Sequence, residues 1–155
     1  MSDFIDAAGV LLAATGVIAT LFHNNNIARK RATIDLVLHQ RADEELSSSK
    51  KSLHKLHEQD NGLGQWAARG KEETPEHIAI MRVLNNYEFI ATGIKEGAFD
   101  KKIYQRMQHS MTVRDYCALK GFISDIRQRH NNDKIFQEFE WLAKDFEAKP
   151  LKKNK

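Results

Sequence analysis

The segment TPEHIAIMRVLNNYEFIATGIKEG, residues 74–97, carries the clearest helical pattern of the chain. A helix is predicted to begin here because the Thr74 side chain can accept hydrogen bonds from free helix amides and Pro75 suits the first helical position. Gly97 is predicted to end it. Apolar residues recur between them at intervals of three or four: Ile80, Leu84, Tyr87, Ala91 and Ile94, widened by Met81, Phe89 and Ile90. So broad an apolar face is typical of the central helix of a bundle.

The residues that follow predict three further helices. Asp100 is predicted to cap a short helix, Thr112 to start a second one, and Asn131 or Asn132 to cap the last. Cys117 lies among apolar neighbours and is predicted to be a small buried hydrophobe. No segment alternates as a strand does, so the predicted fold class is all-α.

The residues before this segment predict one long amphipathic helix, from about residue 27 to residue 57. The serine run at residues 47–49 weakens its middle, and a break is predicted there if anywhere. Residues 59–73 hold three glycines and are predicted to form a loop, from which Trp66 docks onto the core. His54 and His57 are predicted to be solvated rather than metal ligands, because no carboxylate or cysteine pattern accompanies them.

The N-terminal segment AAGVLLAATGVIATLF, residues 7–22, contains no charged side chain. Residues 4–22 include only one, Asp6, and their length approaches the roughly 20 residues that a membrane-spanning helix needs. The alternatives are a cleaved signal peptide, a buried core helix and an interfacial amphipathic helix. A signal peptide expects basic residues where this chain has acidic ones, and an interfacial helix needs a charged face, which this segment lacks. A single transmembrane helix is therefore the favoured prediction.

The basic residues beside this segment give it a direction. Arg29, Lys30 and Arg31 all follow it, and positive side chains resist translocation. We expect a bacterial inner-membrane protein with its N-terminus outside and its C-terminal part cytoplasmic. The predicted organisation is a transmembrane helix at 1–23, a helical cytoplasmic domain at 24–148 and a basic tail at 149–155.

One stripe of the predicted span is made of small residues. They are spaced four, three and four apart: Gly9, Ala13, Gly16 and Thr20. Small residues let helices approach closely in lipid, so this stripe is a candidate surface for self-association.

The charge balance argues against nucleic acid as a partner. The chain has 24 basic and 21 acidic residues, mixed along most predicted helices rather than gathered on a basic face. The tail has four lysines and is predicted to be disordered, either touching anionic lipid or serving only solubility.

No motif for catalysis, cofactor binding or metal binding occurs in the sequence, so we expect a protein that is not an enzyme and holds no cofactor. Glu88 is the most informative polar residue, because it lies in the most hydrophobic predicted helix. An unpaired buried carboxylate is unfavourable, and Arg114 is its predicted partner in a structural ion pair. The alternative is a catalytic or ligand-binding carboxylate at Glu88.

Three motifs resemble those of a known family. They are LNNYEFIA at residues 84–91, followed by Gly93, Gly97 and Asp100, then VRDY at residues 113–116 and FEWLA at residues 139–143. They are similar to motifs of the DUF4760 family of small bacterial and phage membrane-associated proteins of unknown function, although Tyr116 replaces an expected tryptophan. The resemblance implies an N-terminal span followed by a helical domain and implies no reaction.

The sequence thus predicts a membrane-anchored, non-enzymatic module that binds another protein or itself. By analogy of format, superinfection exclusion or phage defence is a hypothesis for its role. The alternatives are an enzyme or small-ligand binder that uses Glu88 and Arg114, and a soluble all-α protein whose first helix lies in the core.

Overall fold

The computed structural model describes residues 2–59 and 62–151, with side chains for residues 20–58 and 62–151. The described chain forms five α-helices and no strand, which confirms the all-α prediction. The elements are α1 (Ser2–Ala42), α2 (Glu44–Gln59), a short 3-10 helix (Gly64–Ala67), α3 (Pro75–Lys95), α4 (Lys101–His130) and α5 (Gln137–Ala148).

The central position predicted for α3 is confirmed. Thr74 accepts a hydrogen bond from the His77 amide at 3.3 Å, Pro75 begins the helix, and Gly97 follows its end with a φ of 76°. Helices α2 and α5 pack against α3. Its buried apolar side chains are Ala79, Ile80, Val83, Leu84, Tyr87, Ile90, Ala91 and Ile94.

Phe89 departs from the predicted face of α3, because 61% of it is exposed. Its ring packs edge-on against Phe99, with ring centroids 5.9 Å apart. Phe99 in turn covers Gly93 so closely that a Cβ there would overlap the ring. These two phenylalanines lie at the corner between α3 and α4 rather than in the centre of the bundle.

The break in the long N-terminal helix lies at Asp43, not in the serine run at residues 47–49. Oδ1 of Asp43 accepts a hydrogen bond from the Leu46 amide at 2.9 Å, as a helix-capping carboxylate does. The serines continue inside α2, because Leu46 and Leu53 on either side of them are buried in the core. Packing of these leucines outweighs the weak helix propensity of serine.

One continuous helix, α4, replaces the first two of the three helices that the sequence predicts after residue 100. Asp100 caps α4 as predicted, since its Oδ1 accepts the Ile103 amide at 2.9 Å. Thr112, however, lies buried within α4 and donates its hydroxyl hydrogen to the Gln108 carbonyl at 2.9 Å. A threonine that bonds one turn back is satisfied inside a helix, so it starts no new one.

Two more local predictions are wrong and one is confirmed. Asn131 ends α4 in the left-handed conformation, with a φ of 48°, and does not cap α5. Cys117 is exposed, because the buried face of α4 passes through its neighbour Ala118 instead. Trp66 packs against the core as predicted, and its carbonyl lies 2.7 Å from Nδ1 of His77.

Within the residues whose side chains are described, no helix has the length and apolar character needed to cross a membrane. The predicted span at residues 4–22 falls mostly outside those residues. For residues 2–19 the structure gives only the helical backbone of α1, so three members of the small-residue stripe, Gly9, Ala13 and Gly16, lie outside the described side chains. Thr20 is exposed.

Candidate functional site

Glu88 caps helix α5 and does not pair with Arg114. Its carboxylate accepts hydrogen bonds from the backbone amides of Glu138, at 3.3 Å, and Phe139, at 2.8 Å. The α5 N-terminus has no side-chain cap of its own, and its free amides attract a carboxylate. Arg114 contacts His54 and Asp115 instead. The predicted Glu88–Arg114 ion pair is therefore wrong, and a ligand site centred on Glu88 loses its acceptor oxygens to α5.

Among the described residues, Asp115 is the carboxylate whose side chain is completely buried. Its Oδ2 accepts a hydrogen bond from the Tyr87 hydroxyl at 2.7 Å. Its Oδ1 lies 3.2 Å from Nε2 of His54 and 3.4 Å from Nε of Arg114. A buried charge needs such partners, and these three come from α3, α2 and α4. We call these four residues the Asp115 network.

Tyr87 is the donor that lies deepest in the Asp115 network. Burial raises the pKa of its phenol well above the usual value, and the charge of Asp115 raises it further. The hydroxyl therefore keeps its proton and remains a donor. Its ring stacks on Phe139 with centroids 4.5 Å apart, so the network is continuous with the core.

His54 joins the network through one nitrogen that has two neighbours. Nε2 lies 3.2 Å from Oδ1 of Asp115 and 3.0 Å from Nη2 of Arg114. With a proton it donates to the aspartate, and without one it accepts from the guanidinium. His54 is therefore not the solvated side chain that the sequence predicts, whereas His57 is exposed.

A cleft of about 330 Å³ lies beside this network, between α1, α2 and α4. We call it the basic cleft. It is lined by Gln40, Arg41, Ser47, Lys50, Lys51, His54, Gln108, Met111 and Arg114. None of these lining residues is acidic.

Lys50 is the half-buried cation of the basic cleft, and its Nζ lies 4.9 Å from the centre of the Tyr87 ring. Burial lowers the pKa of this ammonium, and the nearby Asp115 carboxylate opposes that shift. Among the described residues, no carboxylate lies within 4.0 Å of the side-chain nitrogens of Lys50, Lys51 or Arg41. Three of the four cationic side chains of the cleft thus lack an anionic partner there.

Helix α1 is fastened to the bundle where α3 turns into α4. The buried Thr33 donates its hydroxyl hydrogen to the Arg29 carbonyl at 2.8 Å and accepts the Asp100 amide at 2.7 Å. Nη2 of Arg29 lies 3.6 Å from Oδ2 of Asp100. Lys30 and Arg31 are exposed.

On the N-terminal side of this attachment, every described side chain of α1 from residue 20 to residue 31 is exposed. Leu21 and Phe22 are 58% and 72% exposed. In this region α1 presents apolar side chains to its surroundings instead of to the bundle.

One feature of the sequence indicates the Asp115 network. Residues 112, 115, 119 and 122 of α4 are spaced by three or four and are all buried, so the aspartate lies on an apolar face. The apolar residues Val113 and Tyr116, one position further on, are only partly buried. No arrangement of three or more His, Cys, Asp or Glu side chains suited to a metal ion occurs within the described part of the chain.

The three sequence motifs meet in one place. Adjacent residues of the first motif bond to the other two helices, Tyr87 to Asp115 of α4 and Glu88 to the amides of α5. Phe139 of the third motif stacks on Tyr87 and meets the ring of Tyr116 edge-on. The fold and these contacts define a class of all-α bundle in which a buried tyrosine–aspartate pair joins α3 to α4 and the adjacent glutamate joins α3 to α5.

The chain belongs to the family described as "Domain of unknown function (DUF4760)", which it matches over residues 4–146. This confirms the resemblance found in the motifs. No curated protein and no solved structure matches the chain.

Proposed function

We propose that this protein is a membrane-anchored, non-enzymatic interaction module, with the N-terminal half of α1 as its anchor. The observation that carries the proposal is that α1 is one helix from Ser2 to Ala42, and that from residue 20, where its described side chains begin, the first buried one is Thr33. The sixteen uncharged residues at 7–22 belong to the part before that point.

An apolar helix is stable in a nonaqueous environment, because its side chains are unfavourable in water. Leu21 and Phe22, at the end of the uncharged segment, are largely exposed. Nineteen residues, 4–22, extend about 28 Å at 1.5 Å per residue, close to the roughly 30 Å of a bilayer's hydrocarbon core. Lys30 and Arg31 then lie on the cytoplasmic side, consistent with an N-terminus outside the inner membrane.

The partner that we propose is a second copy of the chain, contacted along α1. The small residues Gly9, Ala13, Gly16 and Thr20 are followed, at steps of seven, seven and four, by Ile27, Ile34 and Leu38. By this spacing they share one side of the continuous helix. Ile27, Ile34 and Leu38 are all exposed, so the stripe continues as an apolar seam outside the proposed span.

Carbonate washing of native membranes tests the anchor. The full-length protein is expected to stay in the membrane pellet, whereas Leu12→Arg, at the centre of the proposed span, is expected to shift it toward the supernatant. A central arginine opposes membrane insertion by about 3 kcal/mol. Release of the unmodified protein by carbonate would refute the anchor.

Cysteine crosslinking tests the self-association. Since Cys117 is the one cysteine and is exposed, the background is Cys117→Ser. Ile27→Cys is expected to form disulfide-linked dimers in membranes, whereas Asn25→Cys, on another side of α1, is not. Equal crosslinking at both positions would contradict the seam.

The cellular role in superinfection exclusion or phage defence is proposed only from the format of a small anchored protein. It depends on the membrane anchor, so failure of the carbonate test would remove its basis as well.

A further inference from the structure

The basic cleft gathers positive charge from parts of the chain that are distant in sequence. Arg41 comes from α1, Lys50 and Lys51 from α2, and Arg114 from α4. The buried Asp115 offsets one of these four charges, and its oxygens are already held by Tyr87, His54 and Arg114. The cleft therefore retains an excess of positive charge that no lining residue neutralises.

Gln108 provides an independent sign of a ligand site. It lines the basic cleft but is only 7% exposed. Its side-chain amide forms no hydrogen bond with any other described residue, whereas its backbone carbonyl accepts the Thr112 hydroxyl. Its amide atoms are not among the fully enclosed polar atoms that lack a partner, so the amide reaches the cleft and is available to bond a group that enters it.

Lys50 gives the same indication. Its ammonium is half-buried over the Tyr87 ring and pairs with no carboxylate in the described chain. Placing a charge in such a position is unfavourable unless an anion joins it. Burial lowers the pKa of Lys50 more than the nearby Asp115 carboxylate raises it, so that carboxylate compensates the ammonium only in part.

We propose that the basic cleft binds a small soluble anion bearing one or two phosphate groups. Lys50 and Arg114 are its principal charged contacts, Gln108 is a neutral donor, and Arg41 and Lys51 lie at the rim. Guanidinium and ammonium groups form their strongest hydrogen bonds with phosphate and carboxylate oxygens. At about 330 Å³ the cleft is near the lower limit of small-molecule sites, and no Phe, Tyr or Trp lines it to stack on a nucleobase.

A lipid phosphate is a second source of the same chemistry, and the geometry disfavours it. Arg41 lies nineteen residues beyond Phe22, or about 28 Å along α1. If α1 is anchored as proposed above, the cleft is therefore far from the headgroups. Only the preference for a soluble phosphate over a lipid phosphate rests on the proposed membrane anchor.

The test is an isothermal calorimetric titration of the purified protein, in detergent, with sodium pyrophosphate. Lys50→Met and Arg114→Gln are each expected to weaken binding about tenfold or more. The matched controls are Lys55→Met and Arg106→Gln, which remove the same charges from exposed positions of the same two helices. They are expected to change affinity less than about twofold.

Two further measurements separate specific binding from other outcomes. Circular dichroism verifies that each variant is folded. Gln108→Leu, which leaves the net charge of the cleft unchanged, is expected to weaken pyrophosphate binding severalfold. Equal weakening by Lys50→Met and Lys55→Met, or no binding to the unmodified protein, would overturn the site. Tighter binding of short-chain phosphatidic acid than of pyrophosphate would overturn the soluble ligand. Because pyrophosphate binding needs no bilayer, its failure is distinguishable from failure of the carbonate test.

Discussion

Replacing Glu88 by alanine is expected to destabilise the bundle by about 2 to 3 kcal/mol. The carboxylate accepts two backbone amides of α5, one at 2.8 Å and a weaker one at 3.3 Å. A hydrogen bond to a charged group contributes about 1.5 to 3 kcal/mol, and loss of a helix cap typically destabilises by about 1 kcal/mol. The expected loss of about 2 to 3 kcal/mol is therefore the sum of one strong and one weak hydrogen bond. Phe136 and Gln137 offer no replacement cap, because α5 begins without a side-chain hydrogen bond of its own.

The assay is urea unfolding of the full-length protein followed by circular dichroism. Glu88→Gln keeps one acceptor oxygen without the charge, so its free energy of unfolding is expected to fall between those of Glu88→Ala and the unmodified protein. Glu58→Gln, at an exposed position of α2, is the matched control and should stay within about 0.5 kcal/mol.

The outcome that would refute the cap is coupling between Glu88 and Arg114. If Glu88 acts through α5, then Glu88→Ala and Arg114→Ala add independently in a double-mutant cycle. An interaction energy above about 1 kcal/mol between them would show that the ion pair predicted from sequence forms after all.

Three further predictions concern the core, an ion pair and an exposed thiol. Tyr87→Phe removes the hydroxyl that donates to the buried Asp115 at 2.7 Å, so urea unfolding is expected to show a loss of about 1.5 to 3 kcal/mol; a change below about 0.5 kcal/mol would contradict the network. Hydrogen bonds from Lys144 and then Arg127 lower the pKa of Glu140 to about 2, so its stabilisation is fully present above its unfolded-state pKa of about 4.5 and is lost as pH falls toward 2. Glu140→Gln should make the free energy of unfolding depend less on pH between about 4.5 and about 2. An unchanged dependence on pH would contradict the pairing of Glu140 with Lys144 and Arg127. Cys117, being exposed, is expected to react with maleimide in the native protein as fast as after unfolding, and strong native protection would contradict its position.

Signals confined to one turn of chain were predictable from the sequence. Thr74 and Pro75 begin α3, and Asp100 caps α4, as their side-chain chemistry implies. Such caps depend on residues three positions away, so no knowledge of the tertiary structure is needed.

Signals that depend on packing were not predictable. Thr112 is also a good capping residue, but its burial within α4 lets it bond to the preceding turn. The serines before Leu53 would end an isolated helix, and they continue one here because the leucines on both sides are in the core. In both places tertiary contacts override local preference.

The candidate sites needed the three-dimensional arrangement most of all. Sequence identified Glu88 as a carboxylate in need of a partner, which is correct, but the partner is a pair of backbone amides that no side-chain pattern reveals. The basic cleft joins residues about sixty positions apart in the chain, such as Lys50 and Arg114. Their proximity follows from how α2 lies on α4, which periodicity alone does not determine.

The continuity of α1 has a mechanical consequence. The chain has no glycine or proline from residue 17 to residue 42, so torsion can pass along this part of the helix to the hydrogen bond between Thr33 and Asp100. Each helical residue advances the chain by about 100° of rotation. One residue inserted between Phe22 and Asn26 would thus turn the bundle by nearly a third of a circle relative to the N-terminal end. The direction in which the bundle faces therefore depends on the length of α1, whereas a flexible linker would leave it undetermined.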